Sequence, residues 1–314
     1  MKNFLARRLL FAILSLIIAS MAVFGLAHAK EDPINLFIQP GYFVSPETLE
    51  ALKAKWGLDK PLVMQYLTWA GNMLRGDLGD SVQQQRPVVT IVGEKWAATA
   101  QLAGIAWIFG TITGVPLGIL SALKRGSLLD YSARGLALAG QSLPAFWIGL
   151  VGIWIFAVYL GWLPVFGKGH NLPFFEQAKH YVLPTLVLGW GPMAGYMRIT
   201  RSAMLEVLDS EYIKLARAKG VSNRMVVWKH ALRNALIQPL TIAALLLAGF
   251  MDGAVLVEVI FAWPGVGRVA VEAVNQNDFM MITGTVFLFT FLYLFMSLVA
   301  DLMYAVVDPR IRYS

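Results

Sequence analysis

Long apolar runs recur along this chain and constrain its fold more than any other feature. The first run, residues 9–27, is long enough as a helix at 1.5 Å per residue to cross a hydrocarbon core of roughly 30 Å. Five further runs follow, and six crossings would leave both termini on one side of the membrane. The five runs occupy residues 100–123, 136–160, 182–197, 239–260 and 282–306.

The composition agrees with a membrane location. The 314 residues are 57% hydrophobic and only 14% charged, which is too apolar for an ordinary soluble globule. A net charge of +7 could indicate nucleic-acid binding, but the Lys and Arg residues cluster in short segments beside the apolar runs, where they set orientation in a bilayer. The absence of cysteine excludes a disulfide framework and a thiolate metal site. We therefore predict an all-α integral membrane protein with six transmembrane helices that contacts the lipid bilayer and no nucleic acid.

The N-terminus allows two interpretations. Its charged start and the sequence Ala27-His28-Ala29 are typical of a signal peptide, but the apolar run exceeds the usual length of about 7 to 15 residues. We predict an uncleaved transmembrane helix over residues 1–29.

Basic residues in the short flanks predict the orientation. They lie on the side of the N-terminus, and the positive-inside rule makes that side cytoplasmic, together with both termini and the tail 308–314. The bases in question are Lys2, Arg7, Arg8, Lys124, Arg125, Arg134, Arg310, Arg312 and those of residues 201–233.

Residues 30–98 contain no spanning run and mix acidic with basic residues, which predicts a soluble, helical periplasmic excursion. Ser45 can cap one helix that ends at Gly57, and Pro61 to Leu74 predicts a second, amphipathic helix. We interpret the excursion as a packed cap over the membrane domain in preference to a substrate-binding site.

Residues 209–234 form a basic segment of helical pattern between two apolar runs. Asp209 or Ser210 can cap a short helix, and Gly220 stands where a left-handed terminating residue is needed. Ser222 can cap a second helix, with Val221 and Val226 spaced as a hydrophobic staple. The first helix begins at Glu211, and one side of it carries Tyr212, Leu215 and Ala216. The segment is either a knob that fits a groove on another protein or a loop whose bases only set orientation.

The segment resembles the cytoplasmic signature through which permease subunits of ABC importers dock on their ATPases. Gly220 and Leu232 match that signature, whereas Lys214, Leu215 and Arg233 depart from it. The sequences Ala-Arg-Ala-Lys-Gly at 216–220 and Arg-Asn-Ala at 233–235 are similar to the variant found in the dipeptide, oligopeptide and nickel permease family. The resemblance implies an ATPase-coupling role for Glu211, Tyr212, Lys214, Leu215, Ala216, Arg217, Ala218, Lys219 and Gly220.

Residues 258–268, Glu-Val-Ile-Phe-Ala-Trp-Pro-Gly-Val-Gly-Arg, resemble the outer segment that follows the fifth span in the same family. Trp263 is typical of a bilayer interface, and the proline and glycines after it predict an irregular turn that could re-enter the protein. The residues of this outer turn or gate are Phe261, Trp263, Pro264, Gly265, Gly267 and Arg268.

Asp252 and Glu258 are the candidates for a translocation path. A charge near the bilayer centre costs about 2.5 to 3.5 kcal/mol on insertion scales, so it needs a partner, water or an interfacial position. Asp252 lies near the middle of the fifth run and either faces the path or pairs across a subunit interface. Other runs contain helix breakers, among them Gly110, Gly114 and Pro144, for which close packing is the favoured interpretation of any single glycine.

The chain has no phosphate-binding loop, no nucleophile motif and no histidine pattern of metal-ligand spacing. We therefore predict a transport subunit and no enzyme, with no catalytic or metal site and no cofactor of its own. The resemblance implies ATP and Mg on partner subunits. It also implies three kinds of protein partner: a second homologous permease, one or two ATPase subunits and an extracytoplasmic substrate-binding protein.

The predicted fold is that of a type I ABC importer permease in a bacterial inner membrane. Residues 99–307 would form a five-helix core that contains the coupling segment 209–234. The predicted function is to form half of a translocation pathway for peptides or similar small solutes. The alternative is a stand-alone secondary transporter or channel, which the small number of spans and the lack of an internal repeat disfavour. An intramembrane enzyme would need a catalytic constellation that the sequence lacks.

Overall fold

The computed structural model describes the backbone of residues 2–29, 47, 50 and 59–307. Side chains are described for 7–25, 47, 50 and 59–299, except 240, 241, 244, 245, 247, 248 and 251–253. The predicted helix from Ser45 to Gly57 and the tail 308–314 therefore lie outside the described structure. The helices in chain order are α1 (Lys2–Ala29), α2 (Leu62–Leu74), α3 (Val88–Leu123), α4 (Leu128–Ser142), α5 (Ala145–Gly152), α6 (Phe174–Leu208), α7 (Glu211–Ala218), α8 (Asn223–Met225 through Leu232–Ala235), α9 (Ile237–Ile260), α10 (Val266–Asn275) and α11 (Phe279–Val307).

The helical membrane fold predicted from the apolar runs is confirmed. Within the described residues, three helical stretches are long and apolar enough to cross a membrane: Arg7–Gly25, Val88–Leu123 and Phe279–Val299. A fourth crossing results if the bent pair α4 and α5 counts as one span. The predicted runs 182–197 and 239–260 lie inside α6 and α9. The count of six spans stays a prediction.

Within the predicted run 136–160, the chain bends by 107° between α4 and α5 at the helix breaker Pro144. Leu143 and Pro144 are both extended, with ψ of 133° and 135°. Proline disfavours a helical conformation at the residue before it, and it lacks the N–H that would continue the ladder. Beyond the bend, α5 continues as a π-helix over Ile153–Tyr159.

Two compact units divide the chain. Among the described residues, the first unit contains 2–29, 47, 50, 59–98 and 264–295, and the second contains 99–263 and 296–307. Trp69, Met73 and Ile91 lie in the hydrophobic core of the first unit. In the same unit, the hydroxyl of Ser81 donates to Asp278 at 2.5 Å, and both residues are buried.

A stripe of glycines brings α3 against α6 inside the second unit. A Cβ added at Gly114 would lie 2.5 Å from the carbonyl oxygen of Met193, and one at Gly118 would lie 2.6 Å from that of Met197. Gly110 stands one turn earlier on the same stripe. Small residues at four-residue spacing allow this approach of helix backbones in membranes. The packing interpretation of Gly110 and Gly114 is therefore confirmed.

Candidate functional site in residues 209–234

Residues 209–234, which we call the knob, are the short helices α7 and α8 joined by a tight turn. Gly220 has φ of +76°, so the left-handed conformation predicted for it is confirmed. Its N–H donates to the carbonyl of Arg217 at 3.0 Å, and the N–H of Val221 donates to that of Ala216 at 3.2 Å. This pair of bonds is the Schellman motif, which satisfies carbonyls left free at the end of a helix.

The side-chain caps predicted for both knob helices are wrong, although the helix starts are correct. Ser210 and Ser222 stand at the N-cap positions of α7 and α8, and neither makes a side-chain cap hydrogen bond. The hydroxyl of Ser210 donates instead to the carbonyl of Val207 at 2.5 Å, which joins the knob to the end of α6.

A buried cluster anchors the knob to the ends of α3 and α6. Ile213 of α7 and Val226 of α8 are fully buried in it. Burial of a side chain of this size stabilises by about 1.5 to 3 kcal/mol relative to exposure. The buried members of the cluster are Ile119, Ala122, Ala203, Met204, Ile213, Val226, Val227, Ala231 and Ala235. The knob is therefore packed on the ends of α3 and α6.

The opposite surface of the knob leaves large apolar side chains exposed. Leu215 is 57% exposed and Trp228 is 58% exposed, and Tyr212 and Met225 are also exposed. Of the side predicted to carry Tyr212, Leu215 and Ala216, the first two residues are exposed, and Ala216 packs against the buried cluster. Exposed bases surround these side chains: Lys214, Arg217, Lys219, Arg224 and Lys229. Exposed apolar groups among charges are typical of a protein interaction site.

A depression on α8 lies among Met225, Trp228 and basic side chains. Its lining residues are Ser222, Arg224, Met225, Trp228, Lys229 and Arg233. An apolar floor with a positive rim fits a partner that presents an apolar group beside carboxylates.

An ion pair that sequence reasoning missed lies close to the knob. Arg201 of α6 donates to both carboxylate oxygens of Asp130 at the start of α4, at 2.8 and 3.0 Å. The same carboxylate accepts from the hydroxyl of Ser121 and from the N–H of Gly126. The side chain of Asp130 is only 1% exposed. A bidentate pair of this kind fixes geometry as well as charge, so it ties together α3, α4 and α6.

The outer turn predicted after the fifth run is present between α9 and α10. Ala262 has φ of +48°, and the N–H of Trp263 donates to the carbonyl of Glu258 at 2.8 Å. Trp263 is fully buried, and its ring lies 4.6 Å from that of Tyr181. The expectation that Trp263 faces a bilayer interface is therefore wrong, because its ring packs inside the protein. Phe261 is buried as well, and its carbonyl accepts from the N–H of Gly167 at 2.8 Å.

The remaining residues of the predicted turn lie in the first unit. Gly265 is the N-cap of α10 in an extended conformation, and Gly267 is buried in the first turn of that helix. Arg268 pairs with Glu272 at 2.7 Å on a partly exposed face. Pro264 precedes α10 and cannot continue the helical ladder of α9.

Of the two predicted path residues, the structure describes the side chain of Glu258 alone. Glu258 is fully buried, and the hydroxyl of Thr99 donates to its carboxylate at 2.6 Å. Asp252 belongs to α9, and its side chain is outside the described structure. Among the described residues, His, Asp and Glu side chains nowhere form a group of three that could hold a metal ion.

Comparison with known proteins gives consistent matches over the whole chain. Residues 114–313 match the family described as binding-protein-dependent transport system inner membrane component, and residues 1–103 match its N-terminal family. The dipeptide transport system permease protein DppB of Escherichia coli (strain K12) is 37% identical over all of both chains. The oligopeptide transport system permease protein AppB of Bacillus subtilis (strain 168) is 38% identical, again over all of both chains.

A solved structure shows a similar fold. In inward-facing conformations of the MetNI methionine ABC transporter, one chain matches with a TM-score of 0.55 at 20% identity. The match covers 69% of this chain and 96% of that chain.

Proposed function

The chain belongs to the family of binding-protein-dependent transport system inner membrane components, and we propose that it carries short peptides across the membrane. Membership makes it a multi-pass permease subunit of an ATP-driven ABC importer that works with an ATPase and a substrate-binding protein. It is a transport subunit and no enzyme, and ATP is hydrolysed on the separate subunits. A stand-alone secondary transporter or channel is not favoured.

The peptide assignment rests on the names of the relatives. The two relatives described above transport dipeptides and oligopeptides according to those names. We propose that this chain forms half of the pathway beside a second homologous permease, with one or two ATPase subunits that bind ATP and Mg. We also propose that both termini are cytoplasmic in a bacterial inner membrane, because the short basic flanks lie on their side.

The knob is the proposed contact with the ATPase. One observation carries this assignment: Leu215 and Trp228 are exposed on a segment whose other side, through Ile213, is buried against α3 and α6. Because one side of the segment is buried against α3 and α6, movement of the segment would be transmitted to those helices. Its exposed apolar side chains provide a binding surface for a partner.

The positions of the translocation path and of its outer gate are also proposals. Glu258 is a fully buried carboxylate in a membrane-spanning chain, and ionisable residues in such positions are typical of transport pathways. We propose that Glu258 and Asp252 lie along the path and that the outer turn around Phe261 and Trp263 closes it. We further propose that the excursion ends at residue 98 and that the five-helix core begins at residue 99.

Reconstitution tests the function. The chain is co-expressed with its permease, ATPase and binding-protein partners, and ATP-driven uptake of a labelled dipeptide is measured in proteoliposomes. Leu215→Glu should abolish uptake and reduce recovery of the ATPase with the permease, because a carboxylate would replace the exposed apolar contact. Leu215→Met retains that contact and should behave as wild type.

Two results would contradict the proposals separately. Normal uptake and ATPase recovery with Leu215→Glu would remove the coupling role from the knob. ATP hydrolysis stimulated by the binding protein, but without dipeptide uptake in the unaltered complex, would reject the peptide assignment alone.

A further inference from the structure

Helix α2 presents three distinct faces. Its buried face carries Trp69 and Met73, which lie in the core of the first unit with Tyr66 and Ala70 packed beside them. A polar face carries Gln65, Thr68 and Asn72, of which Thr68 and Asn72 are exposed. The third face is apolar and exposed, and its side chains are Val63, Met64, Leu67 and Leu74.

The third face is unusual for a helix in water. Leu67 is 58% exposed and Leu74 is 83% exposed, and they share one side of α2 with Val63. The whole helix Leu62–Leu74 contains no charged residue, and charges flank it at Lys60 and Arg75, both exposed. An apolar stripe beside a polar stripe, with charges at the ends, is the pattern of a helix in a membrane interface.

Contacts with α1 place α2 near the C-terminal end of the first apolar run, at the depth of an interfacial helix. The hydroxyl groups of Ser20 and Tyr66 are 2.9 Å apart and hydrogen-bonded, and the ring of Phe24 lies 5.5 Å from the rings of both Tyr66 and Trp69. Ser20 precedes Ala27, the end of the first apolar run, by seven positions. At 1.5 Å per residue it lies roughly 10 Å inside that run.

Interfacial helices bury their apolar face about 5 to 10 Å below the headgroup boundary. The depth of the Ser20 and Tyr66 contact is at the deep limit of that range. The exposed surface of α1 is itself apolar along the stretch, through Phe11, Leu14, Ile18 and Met21. Of these side chains, Ile18 and Met21 are the nearest in sequence to the Ser20 contact with α2.

We propose that α2 is an interfacial helix whose partner is the lipid bilayer. Val63, Leu67 and Leu74 contact acyl chains, and Thr68 and Asn72 face the aqueous side. The segment after the first transmembrane helix is therefore anchored in the membrane at α2, where the sequence predicts a soluble excursion. A protein partner on this face is the alternative that the experiment has to exclude.

Spin labels on single cysteines distinguish these environments, and the natural chain contains no cysteine to interfere. Leu67→Cys is compared with Asn72→Cys, a matched position on the polar face of the same helix. Labelled permease is assembled with its partner subunits in proteoliposomes, and collisions with oxygen and with a water-soluble nickel chelate are measured. Oxygen concentrates in the acyl region, whereas the chelate stays in water.

The expected ratio of oxygen to nickel collisions is several-fold higher at position 67 than at position 72. Equal, nickel-dominated collisions at both positions would place α2 in water and overturn the proposal. Low collisions with both reagents at position 67 would show a protein partner on this face and would overturn it too. Val63→Cys gives a second reading of the same face if Leu67→Cys fails to assemble, and Leu14→Cys on α1 supplies the lipid reference.

Discussion

Substitution of Gly220 should uncouple ATP hydrolysis from transport through backbone strain alone. Gly220 has φ of +76°, and nothing lies within 4 Å of the position that a Cβ would occupy. A side chain there meets no steric obstacle, so its cost is that of the left-handed conformation, about 1 to 2 kcal/mol for an ordinary L-residue. A penalty of that size changes a two-state equilibrium by a factor of roughly 5 to 30.

Three substitutions at this one position separate strain from size. Gly220→Asn should lose least, because asparagine visits the left-handed region more readily than other residues. Gly220→Ala should lower the equilibrium constant between the intact and the disrupted turn by the factor above, and Gly220→Val should lower it further, because β-branched residues are genuine outliers there. We expect dipeptide uptake per ATP hydrolysed to fall in the order Asn, Ala, Val.

The assay measures ATP hydrolysis, dipeptide uptake and recovery of the ATPase for each variant in proteoliposomes. Gly135→Ala is the matched control, because Gly135 also has open space around its Cβ position but is helical. That control should retain wild-type coupling, since alanine is favoured over glycine in a helix by about 0.5 to 1 kcal/mol. Wild-type uptake per ATP in Gly220→Val would refute the reasoning, and failure of that variant to insert would make Gly220 a folding residue.

Two further predictions concern the ion pair and the orientation. Asp130→Asn and Arg201→Gln should each destabilise the purified complex by about 1 to 3 kcal/mol in thermal unfolding, because each leaves the remaining charged group without its ion-pair partner. The double variant should lose less than the sum, and additive losses would show that the pair is not coupled. An impermeant thiol reagent should label Gln84→Cys from outside and Ser222→Cys only from inside intact cells. Gln84 and Ser222 are both exposed, whereas the nearby Ser81 is buried and would not be accessible to the reagent. Labelling of both cysteines from outside would contradict cytoplasmic termini.

Local signals in the sequence predict local structure well here. The end of α7 at Gly220 and the helix after Pro61 depend on residues that are close in the chain, and both are found as predicted. The bend at Pro144 was visible as a helix breaker, but Pro116 lies within the continuous helix α3. Proline alone therefore does not tell a break from a tolerated kink, because the outcome depends on neighbouring helices that satisfy the freed groups.

Pairings between distant residues could not be predicted from one sequence. Asp130 and Arg201 are 71 positions apart, and no local sequence pattern around either residue indicates that they pair. The environment of Trp263 could not be predicted for the same reason. Tryptophan is common at bilayer interfaces, whereas tertiary packing buries this ring against Tyr181. Burial of an aromatic ring depends on what the rest of the chain brings to it.

The glycine stripe on α3 has a mechanical consequence for the importer. Because α3 has no side chain at Gly114 and Gly118, where it meets the backbone of α6, a shift of α3 by one residue would bring a larger side chain into that contact. The close packing at these two glycines therefore favours one register between the two helices. Both contribute to the seat of the knob, through Ile119 and Met204. In the proposed coupling role of the knob, a displacement of the knob would move α3 and α6 together.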